Sequence, residues 1–317
     1  MKRPTILGVT LVVALYVAVP LVFASKPFVM SLLVAAMTVA GVALAWAMAG
    51  NLGGLVSFGH SAFVGIGGYA SALLTIKWGL PVFPAMLMGG LAALIAALIM
   101  LPMLRLRGPY FALSILAYAN IFRVVVSEVE FTGGAGGLTG IPRLPTLWGF
   151  DFSSKTGSYV LILTLLLLFM WIYALIRGSH FGLALKAMHE SEDATRVVGV
   201  NSVQLKAVIL LLSAFMTGVF GAFNTHYISF LDPDYAFDSA WIVLPVIAAI
   251  FGGYRTLTGP VIGALVMYMV DQLIFKALMP SGHQILLGGL LVFMILFSPT
   301  GLVPLVLRKG KVHRAAP

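Results

Sequence analysis

Residues 28–49 read FVMSLLVAAMTVAGVALAWAMA, and this stretch decides the fold. The run carries no charged residue, and roughly 20 apolar residues is the length at which an α-helix crosses a bilayer. Because the bilayer core offers no water to unpaired backbone groups, a run of this kind spans it as a helix. Comparable runs recur along the whole chain, so this one is a member of a series.

The composition agrees with that interpretation. Hydrophobic residues make up 61% of the chain and charged residues 9%, and the mean hydropathy is +1.06. Soluble domains are about 45–50% apolar and about 25% charged. A 317-residue chain this apolar cannot cover its hydrophobic surface in water. We therefore predict an all-α, polytopic membrane protein, and the absence of cysteine excludes disulfides and thiolate metal sites.

The apolar runs predict about ten transmembrane helices within one domain that covers residues 1–317. The first run, 4–24, follows a basic N-terminus and also fits a cleavable signal peptide, so its retention stays open. The other predicted spans are 28–49, 60–76, 84–104, 110–127, 158–176, 204–225, 240–253, 260–276 and 284–307.

Basic residues are distributed unevenly between the two sides of these spans. Most of the 19 Lys and Arg residues fall on one side, and Arg123 lies inside a span. The positive-inside rule then places both termini in the cytoplasm, as expected of an inner-membrane protein. The net charge of +9 has the same origin, so we predict contact with the lipid bilayer and no nucleic-acid partner. The outer side holds only Lys26, Lys77, Arg143, Lys155 and Lys276.

The longest interruption of the apolar pattern on the predicted inner side is HFGLALKAMHESEDATRVVGVN, residues 180–201. Phe181, Leu185 and Met188 recur at helical spacing, which predicts a short amphipathic helix with one apolar stripe. The pairs Lys186–Glu190 and His189–Asp193, each four residues apart, are expected to link the other face. Gly199 and Asn201 indicate the helix end. The interval 178–203 is thus predicted to be a structured cytoplasmic loop.

A second stretch, GNLGGLVSFGHSAFVGIGGY at 50–69, is rich in glycine near the inner ends of two spans. Glycine at this density either lets helices approach closely or unwinds the backbone beside a cavity, and the sequence leaves both readings open. His60 is either a substrate or proton contact or a packing hydrogen bond. A nucleotide-binding loop is excluded, because no strand precedes the glycines.

Two further features lie towards the outer side. The Gly-rich loop 128–157 is long enough to be functional or disordered, and its acids and aromatic residues fit either a docking surface or an interfacial anchor. Arg123 and Asp271 are ionisable groups inside spans, which normally face protein or a wet cavity. We expect Arg123 to pair locally with Ser127 or Glu130, and Lys276 to lie near Asp271.

Several chemistries are absent from the sequence. There is no phosphate-binding loop, so this chain does not hydrolyse ATP. There is also no HExxH motif, no Gly-x-Ser-x-Gly elbow and no paired carboxylates. We predict no catalytic residue and no metal site, and hence a protein that is not an enzyme.

Five motifs together resemble one family over residues 28–307. They are GNLGGLVSFGHSAFVGIGGY (50–69), RLRGPYFALSIL (105–116), TGGAGGLTGIP (132–142), FGLALKAMHESEDATRVVGV (181–200) and FGGYRTLTGPVIGA (251–264), followed by the ending SPTGLVPL (298–305). The chain resembles the permease subunit of bacterial ABC importers for branched-chain amino acids, in the LivM-like branch.

The resemblance implies how such a protein is driven. The interval 181–199 matches the cytoplasmic coupling helix that ABC permeases present to their ATPase. Implied partners are a homologous second permease (LivH-like), two ATP-binding subunits that hold ATP and Mg, and a periplasmic substrate-binding protein. This chain itself would hold no cofactor. The implied coupling residues are Phe181, Gly182, Leu185, Ala187, Met188, Glu190, Ala194 and Gly199.

Branched-chain substrates imply a translocation path between two permease subunits, with exposed backbone and a few polar groups. We place its residues in the Gly-rich stretch, at Asn51, Ser57, Gly59, His60 and Gly65. Two alternatives stay open at this point. One is a urea or short-amide permease of the same family, and the other is a secondary transporter that couples ions through Asp271, Arg123 or His60.

Overall fold

A computed structural model of the chain describes residues 6–106, 108–147, 149–197, 199–297 and 301–304. The expected cytoplasmic ends of the chain, Trp148 in the outer loop and half of the ending 298–305 lie outside these residues. Each of the ten predicted spans coincides with a helix. These helices are α1 (Ile6–Phe23), α2 (Pro27–Gly53), α3 (His60–Trp78), α4 (Val82–Ile99), α5 (Pro109–Glu128), α6 (Lys155–Gly178), α9 (Ser202–Ile228), α11 (Ala240–Gly252), α12 (Gly259–Val270) and α14 (His283–Phe297).

Shorter elements connect these helices. They are α7 (His180–Glu190), α8 (Glu192–Val197), α10 (Pro233–Ala236), α13 (Lys276–Leu278), and the strands β1 (Thr146–Leu147) and β2 (Phe150–Asp151), which pair antiparallel. The all-α prediction is confirmed, because the only sheet in the described residues is this minimal hairpin.

Seven segments of the described chain are long and apolar enough to cross a membrane. They comprise α2, α4, α5, α6, α9, the segment Pro233–Gly252 and the segment Gly259–Leu278. α3 has 19 residues but is less hydrophobic, and α1 and α14 contribute only shorter apolar helices, Val12–Phe23 and His283–Met294. The structure therefore supports a multi-pass helical bundle with seven candidate spans.

Several helix boundaries differ from the sequence prediction, and two of the differences have a clear local cause. The predicted span 84–104 ends as α-helix at Ile99 and continues as a 3₁₀ turn at Leu101–Arg105. Pro102 explains the change, because proline lacks the N–H and clashes with the preceding turn. The predicted span 158–176 begins earlier, at Lys155, because the Ser154 hydroxyl accepts a hydrogen bond from the Gly157 N–H at 3.0 Å.

The core of the bundle is built around α2, α3 and α9. α2 is almost entirely buried and packs against α9, α12, α6 and α11, while α3, α4 and α9 all pack against one another. Glycines set the closest approaches: a Cβ on Gly67 of α3 would lie 2.5 Å from the Cα of Gly218 in α9. A Cβ on Gly89 of α4 would in turn lie 2.5 Å from the carbonyl oxygen of Gly67. Small residues thus let three backbones meet.

The loop 128–157 is folded. It contains 3₁₀ turns at Glu130–Thr132 and Gly134–Gly136, and Leu138 forms a bridge with Leu231 near α10. The carbonyl oxygen of Phe131 accepts a hydrogen bond from Lys77 Nζ at 2.9 Å, which fastens the loop to the end of α3. The docking role considered for this loop stays a prediction.

Candidate functional site

α7 is held against the bundle by its apolar stripe. Ser179 caps it, since its hydroxyl accepts a hydrogen bond from the Gly182 N–H at 3.2 Å. Gly182 lies directly on the backbone of Ile176 and Arg177 at the end of α6, where a side chain would not fit. Leu185 and Met188 are buried, as the predicted stripe requires. These residues anchor the helix and leave its opposite face open.

The predicted single helix is in fact two. α7 ends at Glu190, and Ser191 begins α8, with its hydroxyl accepting a hydrogen bond from the Ala194 N–H at 3.3 Å. The expected pairs Lys186–Glu190 and His189–Asp193 are wrong, because neither occurs among the described residues. A serine at this position favours a cap over a continuous helix, which separates His189 from Asp193.

Glu192 instead fastens α8 to α9. Its Oε1 accepts a hydrogen bond from Arg196 Nη2 and its Oε2 accepts one from Lys206 Nζ, both at 2.7 Å. Arg196 Nε also donates to the Ser202 hydroxyl at 2.9 Å. The hydrogen bond from Lys206 is the main reason that the pKa of Glu192 lies below its usual value. The second half of the loop 178–203 is therefore attached to α9.

The open face of the α7–α8 element carries exposed apolar side chains. Leu183 is 61% exposed and Val197 is 88% exposed, although neither lies in a predicted span. They share this surface with four predicted coupling residues, Ala187, Glu190, Ala194 and Gly199, all of them exposed. Of the other four, Gly182, Leu185 and Met188 face the bundle and Phe181 is half-buried.

Leu183 and Val197 were missed by the sequence analysis. Leu183 follows Phe181 by two residues, so it lies off the apolar stripe of the helix. An apolar residue away from the stripe was the signal in the sequence that could have identified it. Together with the exposed coupling candidates, these two side chains add apolar area to the open face of α7 and α8.

The Gly-rich stretch is helical at both ends and unwound in the middle. α2 ends at Gly53, the next residue, Gly54, adopts a left-handed conformation with φ of 64°, and residues 55–59 form no helix before α3 begins at His60. Trp46 Nε1 donates a hydrogen bond to the Ser57 carbonyl oxygen at 2.8 Å and fixes the unwound part. Both readings left open by the sequence therefore apply, each to a different part of the stretch.

His60 is the centre of a buried hydrogen-bond network. Its Nε2 lies 2.8 Å from the hydroxyl of Ser213, and its Nδ1 lies 3.2 Å from the hydroxyl of Ser57. Ser213 donates its own proton to the Ala45 carbonyl oxygen at 2.8 Å, so it accepts the hydrogen bond from His60. The neutral Nε2–H tautomer satisfies every partner. The network ties α2, α3 and α9 together at one level.

The five predicted path residues do not form one cluster. Ser57, Gly59 and His60 are adjacent, and Gly59 lies against Ile115 of α5. Asn51 lies elsewhere and donates to the hydroxyl of Tyr173 at 2.9 Å.

Gly65 of α3 faces the ring of Phe237, with 2.5 Å between its ideal Cβ and that ring. The assignment of the five residues Asn51, Ser57, Gly59, His60 and Gly65 to a translocation path stays a prediction.

Arg123 pairs with a distant residue. Its Nη1 lies 2.9 Å from Asp234 Oδ1 in α10, so the expected local pair with Ser127 or Glu130 is wrong. Ser127 instead donates to the Val124 carbonyl oxygen at 2.8 Å. The pair is largely exposed, and the fold brings α10 next to α5 at this point.

Asp271 is buried at the start of a π-helical turn, Asp271–Phe275. Its Oδ1 lies 3.9 Å from His283 Nε2 of α14 and accepts no hydrogen bond among the described residues. Lys276, the expected neighbour, donates to Gln272 Oε1 at 3.2 Å instead. The tertiary contact with α14 therefore provides the basic group beside this carboxylate.

A cleft of about 900 Å³ opens beside α8, and we call it the inner cleft. Three segments border it: the unwound residues 54–58, the connection from Leu104 to Leu113, and the α8–α9 junction. All three belong to the side predicted to be cytoplasmic. The described residues contain no group of His, Asp and Glu side chains that would hold a metal ion.

The sequence also matches known proteins. Residues 28–295 match the family described as branched-chain amino acid transport system, permease component. The match covers most of the chain and all the helices described above from α2 to α13. The chain belongs to this family. It is a multi-pass membrane permease, and no solved structure matches it.

Several proteins that are named as branched-chain amino acid transport permeases also match the chain. The high-affinity branched-chain amino acid transport permease LivM of Salmonella typhimurium is 28% identical over 281 residues, which cover 80% of this chain and 65% of that protein. This permease therefore spans less than two thirds of the Salmonella relative. BraD of Pseudomonas aeruginosa is 23% identical over 84% of this chain and 91% of its own length. LivH of Escherichia coli is 24% identical over 154 residues, 49% of each chain.

Proposed function

We propose that this permease is one of two transmembrane subunits of a bacterial ABC importer for branched-chain amino acids. It would form the translocation path with a second, homologous permease in the inner membrane. Two ATP-binding subunits would bind ATP and Mg and supply the energy, and a periplasmic binding protein would deliver the substrate. The names of the relatives LivM, LivH and BraD support the substrate class and the pairing of permeases.

The observation that carries the proposal is the α7–α8 element. This element lies outside the predicted spans. It is anchored to α6 through Gly182 and to α9 through Glu192, while Leu183 and Val197 remain exposed. A transporter that lacks its own phosphate-binding loop needs such a surface to receive movement from an ATPase. Movement of the element would shift α9, and the His60 network would carry the shift to α3.

Alternating access follows as a change in the relative populations of two conformations. ATP-driven closure of the partner subunits would press on the exposed face of α7 and α8. Since α9 packs against α3 and α4 through glycines, the three helices would shift together and open the path inward.

Purification in mild detergent, followed by identification of the co-purifying chains, tests the proposal directly. We expect two ATP-binding subunits and a second permease in the complex. Leu183→Asp places a charge on the exposed face of α7 and is expected to reduce the ATPase recovered by about tenfold, because interface anchors are costly to disrupt. Val129→Asp is the matched control, since Val129 is 41% exposed in the loop 128–157, outside the spans and on the predicted outer side.

Two results would count against this function. One is a complex that retains its ATPase after deletion of residues 182–190. The other is leucine uptake that persists without any ATPase and stops when the proton gradient is collapsed.

A further inference from the structure

The inner cleft combines an apolar interior with charges of both signs. Leu55 and Phe111 are buried at its base, and Val56, 54% exposed, extends the apolar lining. Arg105 and Asp193 also line it, the first after α4 and the second in α8. Its volume, about 900 Å³, is large enough for a small ligand and its water.

The charges in the cleft fall into two groups. Glu192, Arg196 and Lys206 satisfy one another across the α8–α9 junction. Arg105 and Asp193 have neither an ion pair nor a hydrogen bond to any residue that the structure describes. One guanidinium and one carboxylate are thus available to a ligand, on two segments that are remote in sequence.

A hydrophobic amino acid has the complementary groups. Its carboxylate matches the guanidinium of Arg105, which binds carboxylates with two parallel hydrogen bonds. Its ammonium group matches the Asp193 carboxylate, and its side chain matches the apolar base formed by Leu55 and Phe111. A ligand that lacks any one of these three groups makes one favourable contact fewer in the cleft.

We propose that the inner cleft binds a free hydrophobic amino acid from the cytoplasm and that this product slows further transport. The proposal rests on the function proposed above. A bound zwitterion bridges Arg105 and Asp193, so it joins α8 to the connection between α4 and α5. The conformation with the two segments joined is then favoured by the ligand's differential affinity.

The backbone near Arg105 allows such a change. Gly108, three residues on, has φ of 57° and ψ of −130°, with no atom within 4 Å of an ideal Cβ. Glycine reaches this region without the steric cost that other residues meet. Because no neighbouring atom contacts this position, a change in the backbone angles of Gly108 would not disturb side-chain packing there. The connection between α4 and α5 could change its position relative to α8 in this way.

The experiment uses the whole complex in proteoliposomes that hold ATP, with the soluble binding protein supplied outside. Initial uptake of labelled L-leucine is measured with the lumen empty and with the lumen preloaded with unlabelled L-leucine. Wild type is expected to slow when preloaded. Arg105→Gln is expected to raise the lumenal concentration needed for half inhibition by about tenfold, since one charge-assisted pair is lost.

Matched variants and ligands test the chemistry of the site. Arg177→Gln removes the same charge on the same predicted side but outside the cleft, and should behave as wild type. Leucinamide lacks the carboxylate and 4-methylpentanoate lacks the ammonium group, so each is expected to inhibit about tenfold more weakly than leucine. Asp193→Asn should remove the difference between leucine and 4-methylpentanoate.

Each contrary outcome overturns the proposal. A wild-type complex that is insensitive to lumenal leucine has no such site. Equal inhibition of wild type and Arg105→Gln places the site elsewhere. Arg105→Gln could slow uptake into an empty lumen and leave unchanged the ratio of uptake rates with and without preloaded leucine. That result would make the cleft an exit path without a regulatory role. Failure of the wild type to take up leucine with ATP would instead refute the transport function itself.

Discussion

The crossing of α3 and α9 at Gly67 makes a quantitative prediction. An alanine Cβ at this position would lie 2.5 Å from the Cα and 2.7 Å from the carbonyl carbon of Gly218, where ordinary contacts begin at 3.4 Å. Both atoms belong to backbone, so no side chain can turn away. The two helices must separate by about 1 Å, and a gap of that size forfeits a quarter to a half of each dispersion contact along the crossing.

We expect Gly67→Ala to destabilise the protein by up to about 2 kcal/mol. Overpacking of a tight interior costs roughly 1–3 kcal/mol, and the better helix propensity of alanine returns about 1 kcal/mol. Gly289→Ala in α14 is the control, because nothing lies within 4 Å of its Cβ and only the propensity gain applies. Thermal unfolding in mild detergent, followed by tryptophan fluorescence, measures both variants against wild type.

The two variants should therefore differ in sign, with Gly67→Ala melting below wild type and Gly289→Ala at or above it. Equal melting temperatures would refute the packing argument. A destabilised Gly289→Ala would show that the cost of alanine comes from something other than the close approach of α3 and α9.

Two other predictions rest on hydrogen bonds. Ser213→Ala leaves the buried Nε2 of His60 without its acceptor and should lower the free energy of unfolding by about 1–3 kcal/mol. Ser213→Thr keeps the hydroxyl and should lower it less. Equal decreases in melting temperature for the two variants would contradict this prediction. Glu192→Gln should cost about 1 kcal/mol at pH 7, after allowance for solvent screening. Because the pKa of folded Glu192 lies below its usual 4.5, its contribution is present above that pH and is lost as the pH falls through the folded value. The difference in melting temperature between wild type and Glu192→Gln should therefore shrink between pH 7 and pH 3.5, and a difference that grows would contradict the link to Lys206.

Local features of the sequence predicted the helices well. Uninterrupted apolar runs forced helices, because backbone groups in lipid must pair within their own segment. The stripe of Leu185 and Met188 correctly predicted which face of α7 is buried. Errors arose where a single residue interrupted an otherwise helical pattern. Pro102 ended α4 early, and Ser191 divided the predicted coupling segment into two helices.

The candidate site was only partly predictable. Asn51, Ser57 and His60 stood out as polar groups among glycines, but their partners lie far along the chain, as with Ser213, 153 residues from His60. Nothing in the sequence pairs Arg123 with Asp234, and the nearer Glu130 was the natural choice. Leu183 and Val197 were overlooked because a stripe defines the buried face of a helix and says little about the open one.

The sequence by itself determined that this protein is a multi-pass helical permease with a charged, amphipathic handle outside its spans. Hydrophobic length and charge asymmetry act locally, so they can be read one segment at a time. Only the tertiary structure decided what the handle is attached to, which partners satisfy the buried histidine, and that three remote segments enclose the inner cleft. The contact between His60 and Ser213 joins residues 153 positions apart, and packing alone brings such residues together.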